Sequence, residues 1–276
     1  NGEKANLAVE SFWGRAIRHV KTPWPDFLFI AEVYWDLEQR LLSEGFDYAY
    51  EKRSYDLLLT RQASSLMSHW RGLDASLWRR GLRFLENHDE ARVASLCTSA
   101  EHRAWLCLLL SQPGACLIHH GQMQGLKERA PIARRGVPPG KPLELDSDEA
   151  THYQSALATF ADLRARGDHC APLQISAAWE CNESHGHFVA LGWIQAGFSS
   201  VVLVVNLSGD PAQCRVRLPS FDPWCEAAEV RDRLSALAYA CPSVLIAEQG
   251  LYIALPGYGS HLLEILPHPR SSQACE

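Results

Sequence analysis

The sequence predicts an α/β fold for its first part and an antiparallel β-sandwich for its second part. Between residues 20 and 120, short apolar runs alternate with segments of helical periodicity, as in parallel βα units. After residue 167, short apolar runs are separated by Gly, Pro, Asn and Ser, which is typical of antiparallel sheets. We therefore predict an α/β domain over residues 1–166 and an all-β domain over residues 167–276.

The elements of the first domain follow from hydrophobic periodicity and from residues that end helices. Pro23 and Pro25 end the first helix and precede the first strand, and Gly45 closes the second helix. Helices are predicted at residues 6–19, 37–43, 54–67, 99–110 and 148–166. Strands are predicted at residues 27–31, 46–49, 82–85 and 116–119.

The strands of the second domain are short and rich in Val, Ile and Leu. Residues 213–218 alternate between apolar and charged side chains, so one face of that strand is expected to be buried. The predicted strands are residues 188–194, 201–206, 213–218, 251–255 and 262–266.

Acidic residues stand where two of the predicted parallel strands end. Residues 27–31 lead directly into Glu32, and residues 82–85 lead into Glu86-Asn87-His88-Asp89. The carboxyl ends of parallel strands form the edge at which α/β enzymes place their chemistry. Two carboxylates beside aromatic residues are typical of glycoside hydrolysis.

Four segments resemble motifs of the α-amylase superfamily, glycoside hydrolase family 13, and they occur in the family's order. Residues 29–33 (Phe-Ile-Ala-Glu-Val) resemble the strand-five motif, which ends on the general acid. Residues 45–50 resemble the strand-six region, and residues 84–89 (Phe-Leu-Glu-Asn-His-Asp) resemble the strand-seven motif. Residues 113–125 resemble the strand-eight segment, with two histidines in place of its usual tyrosines. The resemblance implies a partial (β/α)8 TIM barrel, strands five to eight, followed by a C-terminal β-domain.

The resemblance also implies roles for individual residues. Glu32 would be the general acid, and Asp89 the third carboxylate that binds sugar hydroxyls. His88 would donate a hydrogen bond to the sugar. The remaining expected substrate-binding residues are Asn87, Tyr34, Trp35 and Asp47.

Each of these additional assignments has an alternative at the sequence level. Asn87 either binds substrate or orients the loop, and Asp47 either faces the pocket or caps a strand end. Tyr34 and Trp35 either stack on glucosyl rings or pack in the protein interior.

The family's nucleophile is an aspartate in a Gly-Phe-Arg-x-Asp type motif at the end of strand four. No Arg-x-Asp segment precedes Glu32 in this sequence. We therefore expect the chain to be the C-terminal half of a retaining hydrolase or transglycosylase that acts on α-glucans or maltooligosaccharides. By itself it should be inactive, with the missing half-barrel as a possible partner. The alternative is a non-catalytic, amylase-like remnant that binds carbohydrate or a partner chain.

Composition limits the other functional classes. The net charge of −6 offers no basic surface for nucleic acid, and no apolar run reaches the ~18 residues of a membrane span. Nine scattered cysteines without a Cys-x-x-Cys pair favour reduced thiols and a cytoplasmic protein. The adjacent His119 and His120 alternate sides of a strand, so no metal site is expected there. No cofactor is predicted.

Overall fold

The computed structural model describes residues 11–129, 147–165, 170–194, 200–219, 221 and 227–266. Several sequence predictions lie outside the described residues. They include the start of the first helix and the domain boundary between 166 and 167. No helix in the described part is long and apolar enough to cross a membrane.

The first part contains a parallel sheet whose strands neighbour one another in chain order. This arrangement confirms the predicted βα alternation. The strands are β1 Ile30–Ala31, β2 Tyr48–Tyr50, β3 Gly81–Phe84 and β4 Ala115–Leu117. The helices are α1 Phe12–Lys21, α2 Glu38–Ser43, α3 Lys52–Leu59, α4 Ala63–Gly72, α5 Ala75–Arg80, α6 Val93–Leu96, α7 Ser99–Ser111 and α8 Asp148–Ala165.

The second part contains two antiparallel sheets. One has the strand order β11-β10-β13-β8-β7-β5 and the other the order β12-β9-β6. The strands are β5 Cys170–Pro172, β6 Gln174–Ser176, β7 Phe188–Trp193, β8 Ser200–Asn206, β9 Ala212–Arg217, β10 Ala227–Asp232, β11 Ala238–Pro242, β12 Leu251–Leu255 and β13 Ser260–Leu266, with helix α9 at Ser243–Gln249. The sequence pattern missed β5, β6, β10, β11 and α9.

Strands β7 and β8 are buried on both faces, which explains their uninterrupted apolar sequences. Alternate residues point to opposite faces of the sheet. Those on one face, such as Leu191 and Leu203, belong to a core shared with helices α4, α7 and α8. Those on the other face, such as Ala190 and Val204, belong to a core shared with β9 and β12. The larger antiparallel sheet is therefore a middle layer that joins the α/β part to the smaller sheet.

The predicted strand at residues 27–31 is shorter in the structure. Only Ile30 and Ala31 pair with a neighbour, namely β2. The residues Phe27, Leu28 and Ile30 are 51%, 60% and 49% exposed. Among the described residues, no strand pairs with the other edge of β1. Such an edge with exposed apolar side chains is unusual, since parallel strands are normally covered on both faces.

The helix predicted at residues 54–67 is divided into α3 and α4. Arg61 lies between them with φ = 59°, a left-handed conformation that a continuous helix does not allow. Its Nε donates to Glu101 Oε1 of α7 at 2.6 Å. This long-range ion pair fixes the break, which is why helical periodicity did not reveal it.

A buried ion pair connects β2 to β3. Arg83 on β3 donates through Nε to Oε2 of Glu51 at 3.0 Å, and both side chains are 2% exposed. Burial opposes ionisation of Glu51, but the hydrogen bond from His69 and the charge of Arg83 hold the pKa of Glu51 below its usual range. Arg83 also donates to the backbone oxygens of Trp78 and Pro113.

A buried histidine between α7 and α8 should make stability depend on pH. His102 Nε2 lies 2.7 Å from the Tyr153 hydroxyl. Burial lowers the pKa of His102 to about 4, with Glu149 opposing the shift and His152 and Arg103 adding to it. The native state therefore binds fewer protons than the unfolded state between the unfolded pKa of about 6.5 and about 4, so stability falls as pH decreases through that window.

We expect the free energy of unfolding contributed by His102 to drop by roughly 1–2 kcal/mol between pH 7 and pH 5. Urea unfolding of the wild-type chain and of His102→Gln at both pH values measures this difference. The variant should show a smaller loss because glutamine does not titrate. Equal losses in the two proteins would contradict a neutral buried imidazole.

Candidate active site

The topology of the parallel sheet brings the two predicted acidic segments to one edge. Because β1 to β4 are parallel, the residues that follow each strand all emerge at the carboxyl edge. Glu32 follows β1 directly, and Asp89 lies in the loop after β3. Their side chains are 44% and 54% exposed, so both can contact a ligand from solvent.

His88 lies between the two carboxylates. Its Nε2 is 3.6 Å from Glu32 Oε1 and 3.4 Å from Asp89 Oδ2. One ligand atom from each of the three side chains lies within 4.8 Å of the others. The structure therefore places Glu32, His88 and Asp89 in one cluster, as the sequence predicted.

An open cleft of about 390 Å³ adjoins this cluster. Tyr34 lines the cleft and also contacts the cluster, since its hydroxyl is 3.4 Å from Glu32 Oε1. Burial, with the nearby negative charge of Glu32, raises the pKa of Tyr34 to about 12, so its hydroxyl stays protonated. The cleft is lined by Tyr34, Trp35, Asp36, Glu38, Lys52, Arg53, Asp56, Asp89 and Glu90.

Trp35 presents its indole to solvent at the cleft. It is 83% exposed, and both Trp35 and Asp36 have left-handed backbone conformations, with φ of 64° and 60°. Such conformations are unfavourable for large residues and are concentrated at functional sites. The Tyr34 and Trp35 rings meet edge to face, with centroids 5.8 Å apart. Together they form an aromatic wall beside Glu32.

Asn87 supports the loop rather than facing the cleft, which corrects its predicted role in substrate binding. The residue is 1% exposed. Its Oδ1 accepts hydrogen bonds from the backbone nitrogens of Asp89 and Glu90, each at 2.9 Å. Arg129 donates to the backbone oxygen of Asp89. These contacts fix the backbone that carries His88 and Asp89.

Asp47 does not belong to the cluster, and its predicted contact with substrate is wrong. It precedes β2, so it lies at the amino edge of the sheet rather than the carboxyl edge. Its Oδ1 accepts from Lys21 Nζ at 2.5 Å and its Oδ2 from the backbone nitrogen of Phe29 at 2.8 Å. Asp47 therefore caps the start of the β1 segment.

A second layer of polar residues lies beneath the loop after β3. Glu86 is fully buried, and its Oε1 is 2.9 Å from Arg92 Nη1. Arg92 Nη1 also lies 2.6 Å from His119 Nδ1, while Nη2 donates to the backbone oxygen of His120. A guanidinium can only donate, so Nδ1 of His119 accepts this hydrogen bond. Burial and the Arg92 charge both lower the pKa of His119. The loop after β3 is thereby connected to the segment after β4.

Sequence reasoning missed the polar side of the cleft. Lys52 forms ion pairs with Asp56 at 2.5 Å and with Glu90 at 3.1 Å. Helix α3 begins directly after β2, with Glu51 as its N-cap, so its first turn rises at the carboxyl edge. The sequence did contain one signal for these residues. A helix that starts immediately after a parallel strand has its first turn at the carboxyl edge of the sheet.

Comparisons of the sequence with protein-family models and with curated proteins give no match. Solved structures do resemble the chain. The maltogenic α-amylase AmyB from Thermotoga neapolitana aligns with a TM-score of 0.71 and 17% identity, over 96% of this chain and 60% of that chain.

Two further solved structures also align with this chain. The α-amylase GTA from Geobacillus thermoleovorans, solved with acarbose, aligns with a TM-score of 0.67, at 14% identity, over 94% of this chain and 58% of that chain. The debranching enzyme from Nostoc punctiforme aligns with a TM-score of 0.64, at 16% identity, over 94% of this chain and 55% of that chain. This chain thus spans less than two thirds of each of the three. Over that span, the chain shares the fold of these three enzymes.

Proposed function

We propose that this chain supplies the general acid and the substrate-binding residues of a retaining α-amylase-type hydrolase or transglycosylase. The observation that carries the proposal is the cluster of Glu32, His88 and Asp89 at the carboxyl edge of a parallel sheet, beside an aromatic-walled cleft. The substrate class is an α-glucan or maltooligosaccharide. The known enzymes with this fold include α-amylases and a debranching enzyme.

In this proposal, Glu32 protonates the leaving glycosidic oxygen and then activates water or an acceptor hydroxyl. Asp89 and His88 bind sugar hydroxyls, and Asp89 favours the oxocarbenium-like transition state. Trp35 and Tyr34 offer flat apolar faces to the C–H face of a glucosyl ring. The attacking carboxylate comes from a polypeptide segment outside this sequence.

We further propose that β1 to β4 are half of a (β/α)8 barrel. The support comes from the exposed apolar residues at the edge of β1 that no described strand covers, because barrel closure would bury them. The segment that pairs there would also supply the nucleophile.

The test compares the 276-residue chain with a longer polypeptide that adds the coding sequence preceding Asn1. Both are incubated with maltooligosaccharides and with an aryl α-maltoside. We expect turnover only from the longer protein, because loss of one member of a catalytic set costs several orders of magnitude in rate. Turnover by the short chain above a Glu32→Gln background would contradict the expected inactivity of the isolated chain.

If a longer protein that carries an Arg-x-Asp segment upstream of Glu32 also lacks turnover, the enzymatic proposal falls. The non-catalytic alternative is then favoured, on the observation that no Arg-x-Asp segment precedes Glu32 in this sequence. Binding of maltoheptaose by the short chain, measured by calorimetry, would then show whether the remnant still binds carbohydrate.

A further inference from the structure

The side chains of Glu32, His88 and Asp89 have the spacing of a metal-ligand set. A tetrahedral zinc site with bonds of about 2.1 Å places its ligand atoms about 3.4 Å apart. His88 Nε2 is 3.4 Å from Asp89 Oδ2 and 3.6 Å from Glu32 Oε1. The third separation is no more than 4.8 Å. Small rotations of exposed carboxylates would bring all three atoms to one ion.

The charges at this cluster also favour a cation. Among the described residues, His88 is the ion-pair partner recorded for both Glu32 and Asp89. A single imidazole, even when protonated, leaves excess negative charge on two carboxylates that have oxygen atoms within 4.8 Å of each other. A divalent cation would neutralise both and leave the imidazole as a neutral ligand.

The identity of the donor atoms selects the class of metal. Calcium and magnesium prefer sites made of oxygen atoms alone, whereas an imidazole nitrogen suits zinc and similar transition metals. Three protein ligands and an open fourth position are the arrangement of many zinc sites that keep a water ligand. The loop that carries two of the ligands is already fixed by Asn87, so little ordering is needed on binding.

We propose that Glu32, His88 and Asp89 bind one zinc ion, which excludes carbohydrate from the same side chains. The exclusion of carbohydrate rests on the proposed function, whereas zinc binding requires only the three ligands. When zinc is bound, the carboxylate of Glu32 is a metal ligand and cannot carry the proton that a leaving group needs. The expected effect is therefore reversible inhibition that a chelator relieves.

The test is calorimetric titration of zinc chloride into the chelator-treated 276-residue chain, with a reducing agent that does not bind metal. Glu32→Gln, His88→Gln and Asp89→Asn should each weaken the site at least tenfold. His187→Gln, an exposed histidine in the second part of the chain, is the matched control and should bind as the wild type does. Cys181→Ser controls for zinc held by an exposed thiol.

A second readout uses Co²⁺, whose visible spectrum reports its coordination geometry and ligands. We expect tetrahedral d–d bands without a thiolate charge-transfer band, and their loss in the three ligand variants. Binding that is unchanged in these variants, or that disappears in Cys181→Ser, would overturn the proposal. If the chain binds zinc but a longer protein with an Arg-x-Asp segment upstream of Glu32 has no turnover, the metal site stands and the proposed function falls. If the longer protein turns over maltooligosaccharides but the chain does not bind zinc, the proposed function stands and the metal site falls.

Discussion

Replacing Glu32 with glutamine should lower kcat for maltooligosaccharide hydrolysis by about 10²- to 10⁴-fold in the longer protein. Glutamine keeps the shape and the hydrogen-bonding capacity of the side chain but has no proton to give the leaving oxygen. Steady-state rates for the wild type and the variant measure the effect. Glu248→Gln makes the same chemical change on the exposed face of α9 and should leave kcat unchanged.

The leaving group separates a general acid from a residue that only positions the substrate. A sugar alkoxide needs protonation to depart, whereas a nitrophenolate departs largely without it. The Glu32→Gln variant should therefore lose much less activity in the glycosylation step on a nitrophenyl α-maltoside than on maltooligosaccharides. Equal losses on both substrates would contradict the acid role of Glu32.

Replacing Arg83 with methionine should destabilise the chain by about 3–5 kcal/mol. The substitution leaves the Glu51 carboxylate buried without its guanidinium partner, which is costly in a low-dielectric interior. It also removes two hydrogen bonds to backbone oxygens and the stacking of the guanidinium on Trp78, 5.0 Å from the ring centroid. Urea unfolding of both proteins at pH 7 gives the difference.

Two further variants identify the cause of this loss. Arg40→Met breaks an ion pair with Glu44 in which Arg40 is 70% exposed, and it should cost less than about 1 kcal/mol. The double variant Glu51→Gln/Arg83→Met should recover part of the stability, because it contains no unpaired buried charge. An Arg83→Met effect no larger than that of Arg40→Met would show that burial of this pair has little energetic weight.

Local sequence signals predicted several helices closely. The helix predicted at 37–43 is observed at Glu38–Ser43, and the one predicted at 99–110 at Ser99–Ser111. The second of these begins after Thr98, whose hydroxyl accepts from the Glu101 backbone nitrogen. Capping and periodicity are properties of neighbouring residues, so the sequence contains them directly.

Elements that depend on distant partners were not predictable in the same way. Strand β10 has no continuous apolar run, and it is defined by its pairing with β11 on one side and β13 on the other. Arg83 lies within a strand predicted from its apolar neighbours, yet the burial of its charge depends on Glu51, 32 residues earlier. A single sequence does not show which distant residue will satisfy a buried group.

The amino-acid sequence by itself determined that acidic residues follow two of the parallel strands. Hence it also determined that Glu32, His88 and Asp89 lie at the same edge of the sheet. That follows from the period of the strands and from the parallel βα pattern, which sends successive carboxyl ends to one side. Only the tertiary structure decided which neighbouring polar residues face the cleft. It turned Asn87 inward to hold the loop, placed Asp47 at the opposite edge, and added the first turn of α3, because side-chain direction depends on packing against elements far away in the chain.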